Sequence, residues 1–331
     1  MFAVVLVGGF GTRLRPLTNN VPKPMLPVLN RPMILSLVDR LAEGGITDVV
    51  LALGFRPEPF AAAFSDGRHG DVRVHYAVEP EPLDTAGAIA FAARAVGIDE
   101  EFVVVNGDVI ADLDIGFLIS EHRRFGLAGT IHLTPVDDPS VFGVVEIDEQ
   151  GLVSRFVEKP QPGETDSNLV NAGTYVLEPT VLELIPPDRR ISVERDTFQR
   201  LVEGGLLAGV ATSDYWLDTG RPEQFLQANL DLVRGVRGPA RDGIAPGALV
   251  SPGAVVIESV VSADATVAAG ARVIGSVLLP GARIDDGADV RDSIVAGHVA
   301  AGAAVDGCVI GSEYTVMAGT SVVGQRLPVP E

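Results

Sequence analysis

One short glycine-rich segment near the start of the chain carries the residues best suited to phosphate chemistry. The hydrophobic run Ala3–Val7 leads into Gly8–Thr18, which reads GGFGTRLRPLT, and Lys23 follows between two prolines. Glycines let a backbone approach a polyphosphate closely and aim N–H groups at its oxygens. Arg13 and Lys23 would add positive charge where negative charge builds during phosphoryl transfer. The segment therefore predicts a loop that binds a triphosphate, and a structural turn with solvated cations is the alternative on the glycines alone.

Two carboxylates further along the chain are candidates for a metal site. The hydrophobic run Phe102–Asn106 is followed by Gly107 and Asp108, and Asp218 lies within the sequence YWLDTG. An aspartate at the end of a strand is more often a turn former, so neither residue is decisive alone. Together with substrate oxygens, two carboxylates make the hard, oxygen-rich environment that Mg²⁺ prefers.

The hydrophobic pattern of the elements that must position these groups changes along the chain. Up to residue 232, short β-rich runs alternate with longer amphipathic stretches, a pattern that predicts a mainly parallel α/β sheet. Ligands on such sheets bind at the carboxyl ends of the strands. Six runs are predicted as strands: Ala3–Val7, Asp48–Leu53, Val72–Ala77, Phe102–Asn106, Gly129–Thr134 and Thr174–Leu177. Four are predicted as helices: Met33–Glu43, Thr85–Ala95, Ile115–Phe125 and Val193–Glu203.

The last third of the chain follows a different rule. After a Gly- and Arg-rich linker at residues 233–243, aliphatic residues recur with 6-6-5 spacing from Ile244 to Val290, and again from Val299 to Val322 after one slip of phase. Glycines precede many of them and permit the corners of a coil whose aliphatic side chains point inward. The pattern resembles the hexapeptide repeats of the left-handed β-helix, with about five coils over residues 244–331.

Composition narrows the classes of partner. The formal net charge of −19 argues against nucleic acid or an anionic membrane, and it requires a phosphate site to concentrate its cations locally. Cys308 is the single cysteine, so no intrachain disulfide can form, and no run is long enough to span a bilayer. The first run lacks the basic region of a signal peptide. We therefore expect a cytoplasmic protein.

The string GGFGTRLRPLT, followed by Lys23 in PKPMLP, resembles the signature loop of the sugar-1-phosphate nucleotidyltransferase family. Pro16 stops a helix from following the loop directly, which separates it from a Walker A loop or a dinucleotide fingerprint. The resemblance implies a Rossmann-like nucleotide-diphospho-sugar transferase sheet over residues 1–232 and transfer of a nucleotide to a sugar 1-phosphate with release of pyrophosphate. It also implies that Asp108 and Asp218 share a Mg²⁺ ion.

The resemblance assigns further residues by position. Arg13, Lys23, Asp108 and Asp218 would be catalytic. The nucleotide would be bound by Leu6, Gly8, Gly9, Gly11, Thr12, Arg13, Glu79, Asp84, Thr85, Gly87 and Asp108. The sugar phosphate would be bound by Asn106, Gly107, Gly143, Glu158, Lys159, Asn171 and Tyr175. Lys159 would meet the phosphate, while Glu158 and Asn171 would accept sugar hydroxyls.

The choice of base and sugar depends on two short segments. Glu79 stands where the family has an amide, and a carboxylate can accept both N1–H and N2–H₂ of guanine. Ile191–Phe198 contains SVER, which resembles mannose-1-phosphate guanylyltransferases. GTP and mannose 1-phosphate are therefore the favoured substrates, and glucose 1-phosphate with dTTP or UTP is the alternative. Asp84 replaces the family's first glycine in LGTAG; it would either bind ribose hydroxyls or repel phosphate.

Two other classes of function compete with catalysis in the N-terminal half. A non-catalytic regulatory subunit of such an enzyme is disfavoured because the loop and its charged residues are intact. An acyltransferase built on the β-helix would need a histidine between coils, and His298, the only histidine in the repeats, falls at the phase slip, where we expect a surface corner. The β-helix is expected to mediate oligomerisation or regulation. A homo-oligomer, as a dimer or tetramer, is expected because the aliphatic coils leave open edges that a partner can cover.

Overall fold

The computed structural model describes residues 1–54, 57–187 and 189–330. They form two compact units, Met1–Gly9 with Ile34–Trp216, and Phe10–Met33 with Leu217–Glu331, although Glu331 itself lies outside the described residues. From Phe10 onward the glycine-rich loop therefore belongs to the same unit as the C-terminal repeats, whereas Gly8 and Gly9 belong to the first unit. The domain boundaries at residues 232 and 244 stay predictions. No helix among the described residues is long and apolar enough to cross a membrane.

The elements are short and closely spaced. Outside the repeats the strands are β1 (Phe2–Leu6), β2 (Pro27–Val28), β3 (Arg31–Pro32), β4 (Asp48–Leu53), β5 (Arg68–His69), β6 (Val72–Val78), β7 (Phe102–Asn106), β8 (Val109–Ala111), β9 (Gly129–Pro135), β10 (Gly143–Ile147), β11 (Val153–Glu158), β12 (Leu169–Leu177), β13 (Leu207–Ala211) and β14 (Trp216–Asp218). The helices are α1 (Met33–Glu43), α2 (Glu58–Ala63), α3 (Asp84–Val96), α4 (Ile115–Phe125), α5 (Phe198–Glu203) and α6 (Pro222–Val233).

A ten-stranded sheet forms the centre of the first unit, with β11-β10-β12-β7-β1-β4-β6-β5 as its main path. Strands β7, β1, β4 and β6 are parallel, as the strand–helix alternation predicts. The expectation of a mainly parallel sheet is wrong beyond β7, since β12 pairs antiparallel with β7, β9 and β10. There the strands β10 and β11 are joined by the short turn at Asp148–Gly151 instead of a crossover helix, and such a turn imposes antiparallel pairing.

Apolar burial fixes the position of this sheet. Val4, Val50 and Val104 are fully buried on adjacent strands and pack in one cluster with Ile89 of α3 and Phe198 of α5. Strand β4 is buried along its whole length, as is typical of a central strand covered on both faces. The parallel strands thus end together, and the loops that follow β1, β4 and β7 emerge at one edge of the sheet.

The repeats form three parallel five-stranded sheets, and each turn of the chain gives one strand to each sheet. These are β15 (Leu249–Val250), β18 (Thr266–Val267), β21 (Arg283–Ile284), β24 (His298–Val299) and β27 (Thr315–Val316); β16 (Val255–Ile257), β19 (Arg272–Ile274), β22 (Asp289–Arg291), β25 (Ala304–Asp306) and β28 (Ser321–Val323); and β17 (Val260–Val261), β20 (Val277–Leu278), β23 (Ile294–Val295), β26 (Val309–Ile310) and β29 (Arg326–Leu327). The predicted fold class, an α/β nucleotidyltransferase sheet followed by a left-handed β-helix of about five coils, is confirmed.

Three local expectations are wrong. Ile244, expected to point inward, is exposed because it precedes the first strand of the β-helix, and Ala245 is buried instead. His298, expected at a corner, begins strand β24, and its ring contacts Asp285 (Nε2 to Oδ2, 2.8 Å). The predicted helix over Val193–Glu203 starts as a π-helical turn, Val193–Thr197, before α5.

Candidate functional site

One residue of the glycine-rich loop has a left-handed backbone conformation. Gly11 has φ +61°, and its carbonyl accepts a hydrogen bond from the Thr18 hydroxyl at 2.7 Å. A Cβ atom at Gly11 would lie 3.1 Å from the Thr18 methyl group, so both conformation and space require glycine there. A 3₁₀ turn over Thr12–Leu14 follows, with Leu14 buried and both Thr12 and Arg13 exposed. The loop is therefore anchored from inside while its cationic side chain faces solvent.

Two cations and a carboxylate lie together next to this loop. The Lys23 Nζ atom is 3.7 Å from Oδ1 of Asp218, and the lysine side chain is only 6% exposed. Gly220 lies so close to both charges that a Cβ there would approach Nη2 of Arg13 to 2.7 Å and Oδ1 of Asp218 to 3.0 Å. A buried ammonium of this kind needs a negative partner. The cluster can therefore hold an anion or a cation close to the loop.

The C-terminal coils contact the back of the same loop. Arg326 donates from Nη1 to the carbonyl oxygen of Arg13 at 2.9 Å. The Asn20 amide donates to Oε1 of Glu313 at 3.2 Å. A Cβ at Gly311 would lie 2.9 Å from Cβ of Pro16, so this coil and the loop are in close contact. The predicted function did not assign any role to these C-terminal residues, and no sequence signal marks them.

In the first unit, Gly8 lies against Glu79, the residue predicted to read the base. A Cβ at Gly8 would lie 3.1 Å from the backbone nitrogen of Gly54 and 3.6 Å from Oε1 of Glu79. Glu79 is 7% exposed, its Oε2 accepts a hydrogen bond from the Leu83 N–H at 2.9 Å, and burial raises the pKa of its carboxyl group. Because the carboxylate is partly desolvated, a ligand that donates hydrogen bonds to it gains more than it would in water.

The start of α3 is tied to the SVER segment. Glu194 Oε2 accepts hydrogen bonds from the hydroxyls of Thr85 (2.9 Å) and Ser192 (2.6 Å), and the Val193 N–H donates to the Thr85 hydroxyl at 2.8 Å. A Cβ at Gly87 would approach the Arg189 carbonyl oxygen to 2.7 Å, so glycine is needed for this contact. The start of α3, predicted to read the base, is therefore held by the SVER segment, predicted to indicate the sugar.

Asp84 has a positive φ of +61° at the first position of α3. Its Oδ1 accepts a hydrogen bond from the Thr85 N–H at 2.9 Å, and its Oδ2 lies 3.8 Å from Nε of Arg190. Glycine adopts this conformation without strain, which gives the family's glycine a backbone role. Asp84 is accommodated because a short polar side chain can bond to its own backbone.

The predicted sugar-phosphate residues are gathered at the ends of β7, β10, β11 and β12. Asn106 ends β7, and a Cβ at Gly173 would lie 2.6 Å from its amide nitrogen. Gly143 pairs with Glu158 across β10 and β11, and a Cβ at Gly143 would lie 2.9 Å from Oε2 of Glu158. Lys159 follows with φ +53°, and its Nζ lies 3.8 Å from Oε1 of Glu158. Its side chain is exposed.

Tyr175 differs from its expected role. The ring is fully buried against Phe198, with ring centroids 5.0 Å apart, and its hydroxyl accepts a hydrogen bond from the Asn171 amide at 3.0 Å. Burial, followed by the nearby carboxylates of Glu194 and Glu158, raises the pKa of Tyr175. We therefore revise the predicted sugar contact: Tyr175 positions Asn171, which is only partly buried.

The remaining predicted residues lie at the ends of strands. Leu6 ends β1 and its carbonyl accepts a hydrogen bond from the Gly107 N–H at 2.9 Å; a Cβ at Gly107 would clash with Val7. Gly9 is exposed, and Asp108 is partly exposed just beyond β7. The structure thus gathers Leu6 with Gly107, Gly8 with Glu79, the sugar-phosphate residues, and, in the second unit, Arg13 with Lys23 and Asp218. Sharing of one metal by Asp108 and Asp218 stays a prediction.

Comparison with models of known protein families identifies the family of this chain. Residues 2–235 match the model described as "Nucleotidyl transferase", and residues 231–315 match "GlmU-like, C-terminal hexapeptide". The chain belongs to the nucleotidyl transferase family. The resemblance of the glycine-rich loop to sugar-1-phosphate nucleotidyltransferases is thereby confirmed.

Named relatives of this nucleotidyl transferase are similar over most of the chain. The mannose-1-phosphate guanylyltransferase of Mycobacterium tuberculosis is 41% identical over 263 residues, which are 75% of this chain and 72% of that sequence. The mannose-1-phosphate guanyltransferase of Aspergillus fumigatus is 44% identical over 230 residues, or 68% of this chain. The match spans 62% of the fungal sequence, which is less than two thirds of its length.

Solved structures agree with the fold. HddC from Yersinia pseudotuberculosis, complexed with GMP-PN, is 29% identical with a TM-score of 0.59, covering 69% of this chain and 97% of that one. A Bacillus anthracis protein named as a glucose-1-phosphate thymidylyltransferase, in complex with sucrose, is 26% identical with a TM-score of 0.64, covering 73% of this chain and 98% of that one.

Sequence reasoning missed several residues that support the nucleotidyl transferase site. Trp216 donates from its indole nitrogen to the Ala172 carbonyl at 2.9 Å, and its ring meets Phe142 edge-on with centroids 5.5 Å apart. The position of Trp216 two residues before Asp218 was the only available signal. Arg326 was also missed, because contacts between residues so distant in sequence leave no local pattern.

Proposed function

We propose that this nucleotidyl transferase makes GDP-mannose and pyrophosphate from GTP and mannose 1-phosphate. The observation that carries the proposal is the cluster of Arg13, Lys23 and Asp218 at the glycine-rich loop, because it supplies concentrated charge for a triphosphate in a protein of net charge −19. The names of the bacterial and fungal relatives support mannose 1-phosphate and guanine as the substrate pair.

The reaction needs no general base. A phosphate oxygen of the sugar phosphate is already ionised at neutral pH, so it can attack the α-phosphorus of the nucleotide directly. A new P–O bond forms as the bond to pyrophosphate breaks, and no covalent intermediate with the protein is needed. The work of the chain is then to orient the two substrates and to neutralise charge on the pyrophosphate, the role we assign to Arg13 and Lys23. Lys159 would hold the phosphate of the sugar.

Mg²⁺ is the metal we propose for this chemistry. Members of the family generally use a divalent metal. Asp108 and Asp218 would hold it: both are partly exposed carboxylates, and the oxygen donors suit a hard cation. When bound, the ion would offset negative charge on the phosphates. Beside Asp218, the nearby ammonium of Lys23 would share that role.

Guanine is favoured over other bases by Glu79. Its carboxylate oxygens have room for several acceptor interactions, so the bond from Leu83 leaves capacity for the N1–H and N2–H₂ groups of guanine. The complex of HddC with GMP-PN points in the same direction. A glucose 1-phosphate thymidylyl or uridylyl transferase is the second candidate, favoured by the similarity to the Bacillus anthracis protein. A silent regulatory subunit would lack the clustered charges.

Pyrophosphate release over a grid of nucleoside triphosphates and hexose 1-phosphates with Mg²⁺ tests the proposal. We expect GTP with mannose 1-phosphate to give the highest kcat/KM, and Asp108→Asn to lower kcat by about 10²-fold, the scale of a lost electrostatic group. Asp99→Asn, at an exposed position in the same unit, is the matched control. Full turnover by a folded Asp108→Asn protein would remove Asp108 from the site, and a preference for dTTP would select the second candidate.

We also propose that the nucleotidyl transferase forms a homo-oligomer through the β-helix. The last coils expose the large apolar side chains of Met317, Val323 and Val329, each more than 60% accessible. Exposed apolar side chains at the open end of a β-helix are a reason to expect an interaction surface there. Sedimentation of a Met317→Asp/Val323→Asp variant should show a smaller species than the wild type, and an unchanged oligomer would exclude this surface.

A further inference from the structure

Three side chains that could bind a metal meet at the end of the sheet opposite Asp108. Glu101 directly precedes β7, whereas Asp108 follows that strand. His122 lies on α4, and Glu178 directly follows β12. One ligand atom from each of the three residues lies within 4.8 Å of the other two. None of these residues has a role in the proposed reaction.

Strand register accounts for the meeting of the two carboxylates. Strands β7 and β12 are antiparallel, with Phe102 opposite Leu177, so Glu101 and Glu178 come next on each strand and face one another. Two like charges directly opposite are destabilising unless positive charge lies near them. Arg123 supplies part of that charge to Glu101, since its guanidinium donates from Nε at 2.7 Å. Glu178 has only the imidazole of His122 close to it among the ion pairs of the described residues.

His122 is held so that one ring nitrogen points at these carboxylates. Its Nδ1 lies 2.9 Å from the hydroxyl oxygen of Thr130, a buried residue of β9. Its side chain is 1% exposed, and within the described part of the chain its Nε2 has no hydrogen-bond partner. The nearest carboxylate atom, Oε1 of Glu178, is 3.4 Å away. If Nδ1 donates to Thr130, a lone pair on Nε2 faces two acidic groups, and the arrangement then needs a cation between them.

We propose that Glu101, His122 and Glu178 bind a Zn²⁺ ion that clamps α4 to the ends of β7 and β12. Imidazole nitrogen and carboxylate oxygen are ordinary zinc ligands, and three protein ligands leave a fourth position for water. Ligand atoms about 2.0–2.1 Å from a tetrahedral zinc are about 3.4 Å apart, which is the separation of Nε2 and Oε1. The hydroxyl of Thr130 orients the imidazole through its other nitrogen, as metal-bound histidines usually require. Glu178 is 42% exposed, so an ion can enter from solvent.

Zinc binding to the full-length protein tests the proposal. The protein is stripped with a chelator, dialysed, and titrated with Zn²⁺ by calorimetry in excess Mg²⁺, which occupies sites that prefer hard cations. We expect one tight equivalent in the wild type, and affinity at least about 10-fold lower in Glu178→Gln and His122→Asn. Thr130→Val, which keeps the side-chain shape but removes the hydroxyl, should weaken binding by about 10-fold as well. Zn²⁺ should raise the Tm of the wild type and not that of Glu178→Gln.

One control variant and one exposed test position make the result decisive. His298→Asn removes a histidine that also contacts an aspartate, but in the β-helix, and it should bind Zn²⁺ like the wild type. Glu178 is half-exposed, so Glu178→Gln tests the site even if the buried His122→Asn protein does not fold. A wild type that binds no Zn²⁺ at micromolar concentration, or a Glu178→Gln variant with unchanged affinity, would overturn the proposal. Because the readout is metal binding, the result is independent of the substrates proposed above.

Discussion

Asp84 occupies a backbone conformation that most side chains avoid, and this explains a departure from the family pattern that sequence alone left open. Its φ is +61°, and its carboxylate is used locally, by the Thr85 N–H and near Arg190. The two alternatives, a ribose ligand or a repulsive charge, both assumed a side chain directed at the substrate. The local contacts favour a third explanation, in which the position is constrained by backbone geometry.

Asp84→Gly should therefore retain the activity of the nucleotidyl transferase. Glycine restores the conformation without strain, whereas Asp84→Val places a β-branched residue at positive φ and should destabilise the start of α3 by about 1–3 kcal/mol. Steady-state kinetics with GTP and thermal melting of both variants check this. A large rise in the KM for GTP in a stable Asp84→Gly protein would instead identify the carboxylate as a nucleotide ligand.

The buried carboxylate of Glu79 should lower the stability of the fold at neutral pH and should be necessary for the choice of base. Burial raises its pKa above the usual 4.5, so the folded protein holds this proton more strongly than the unfolded chain does. Its contribution to stability is consequently largest at low pH and is lost as pH rises from 4.5 through the raised pKa. Glu79→Gln removes that titration, and its amide oxygen can still accept from Leu83.

The free energy of unfolding of Glu79→Gln relative to the wild type should therefore increase between pH 4 and pH 7. The kcat/KM of the variant for GTP should be about 10-fold lower than that of the wild type, because a bidentate pair is worth about 1–3 kcal/mol. Denaturant unfolding over this pH range, with kinetics at neutral pH, measures both effects. Glu81→Gln, exposed two residues away, is the control. Unchanged GTP preference in Glu79→Gln would exclude this carboxylate as the base reader.

Among single residues, those whose role is local could be predicted from sequence, and those whose role depends on distant contacts could not. Gly11 was predicted as part of the phosphate loop, and its positive φ explains why only glycine is suitable. Tyr175 was expected to touch the sugar, yet the chain folds so that the ring is buried against Phe198. Which face of a strand is covered depends on a helix from elsewhere in the chain, and motif matching carries no information about that.

At the level of elements, the positions of strands and helices could be predicted from the spacing of hydrophobic residues. Whether neighbouring strands pair parallel or antiparallel could not. Strand β4 and helix α1 have the predicted bounds, because both are buried or amphipathic along their whole length. The antiparallel half of the sheet was missed because alternation of strands and helices stops where β10 and β11 form a hairpin. The π-helical turn at Val193–Thr197 is capped by Ser192, whose hydroxyl donates to Glu194 and accepts from the Arg195 N–H. The hydrophobic period of the sequence does not distinguish such a turn from an α-helix.

The β-helix shows the same division between what period predicts and what it does not. Inward aliphatics such as Val273 and Val290 are fully buried, as the 6-6-5 spacing requires. The structure adds a ladder at one corner, in which the N–H groups of Ser276, Ser293 and Cys308 each donate to the hydroxyl of the coil before, at 3.0–3.1 Å. A side-chain oxygen thus satisfies a buried backbone donor on each successive coil. Periodicity in hydrophobicity cannot reveal a polar ladder.

The link between α3 and the SVER segment yields a prediction at this scale. Glu194 receives hydrogen bonds from Thr85 and Ser192, and bonds to a charged group are worth about 1.5–3 kcal/mol each. Glu194→Gln should loosen the start of α3 and raise the KM for GTP by about 10-fold with a smaller change in kcat. Glu203→Gln, at the exposed end of α5, serves as the control.

Thr85 provides a conservative test of the same link. Thr85→Ser keeps the hydroxyl that donates to Glu194 and should restore the KM of the wild type, whereas Thr85→Val should behave like Glu194→Gln. If Glu194→Gln and Thr85→Val both leave the KM for GTP unchanged, the SVER segment does not position the nucleotide site, and its contact with α3 is purely structural.

For the whole molecule, the important feature is that the glycine-rich loop from Phe10 onward and the last coil of the β-helix belong to one compact unit. Residues 313 positions apart are joined when Arg326 donates to the Arg13 carbonyl, and the same guanidinium lies 3.5 Å from Oε1 of Glu223. The sequence indicated a separate repeat domain for assembly. The contacts predict a second role, because a rigid β-helix can hold the backbone of a loop whose glycines would otherwise leave it mobile.

Arg326→Ala should therefore lower kcat although the residue is far from the loop in sequence. Loss of the bond to the Arg13 carbonyl frees a loop that must place its cation precisely enough for phosphoryl transfer, and misplacement by about 1 Å can cost up to 10²-fold in rate, so we expect at least about 10-fold. Arg326→Lys keeps one donor and should recover part of the loss. Arg283→Ala, exposed on the same β-helix, should leave kcat unchanged. Melting curves must show that the β-helix is intact in each variant. Full activity of a folded Arg326→Ala protein would mean that the loop holds its conformation through its own contacts. The coil would then support assembly alone.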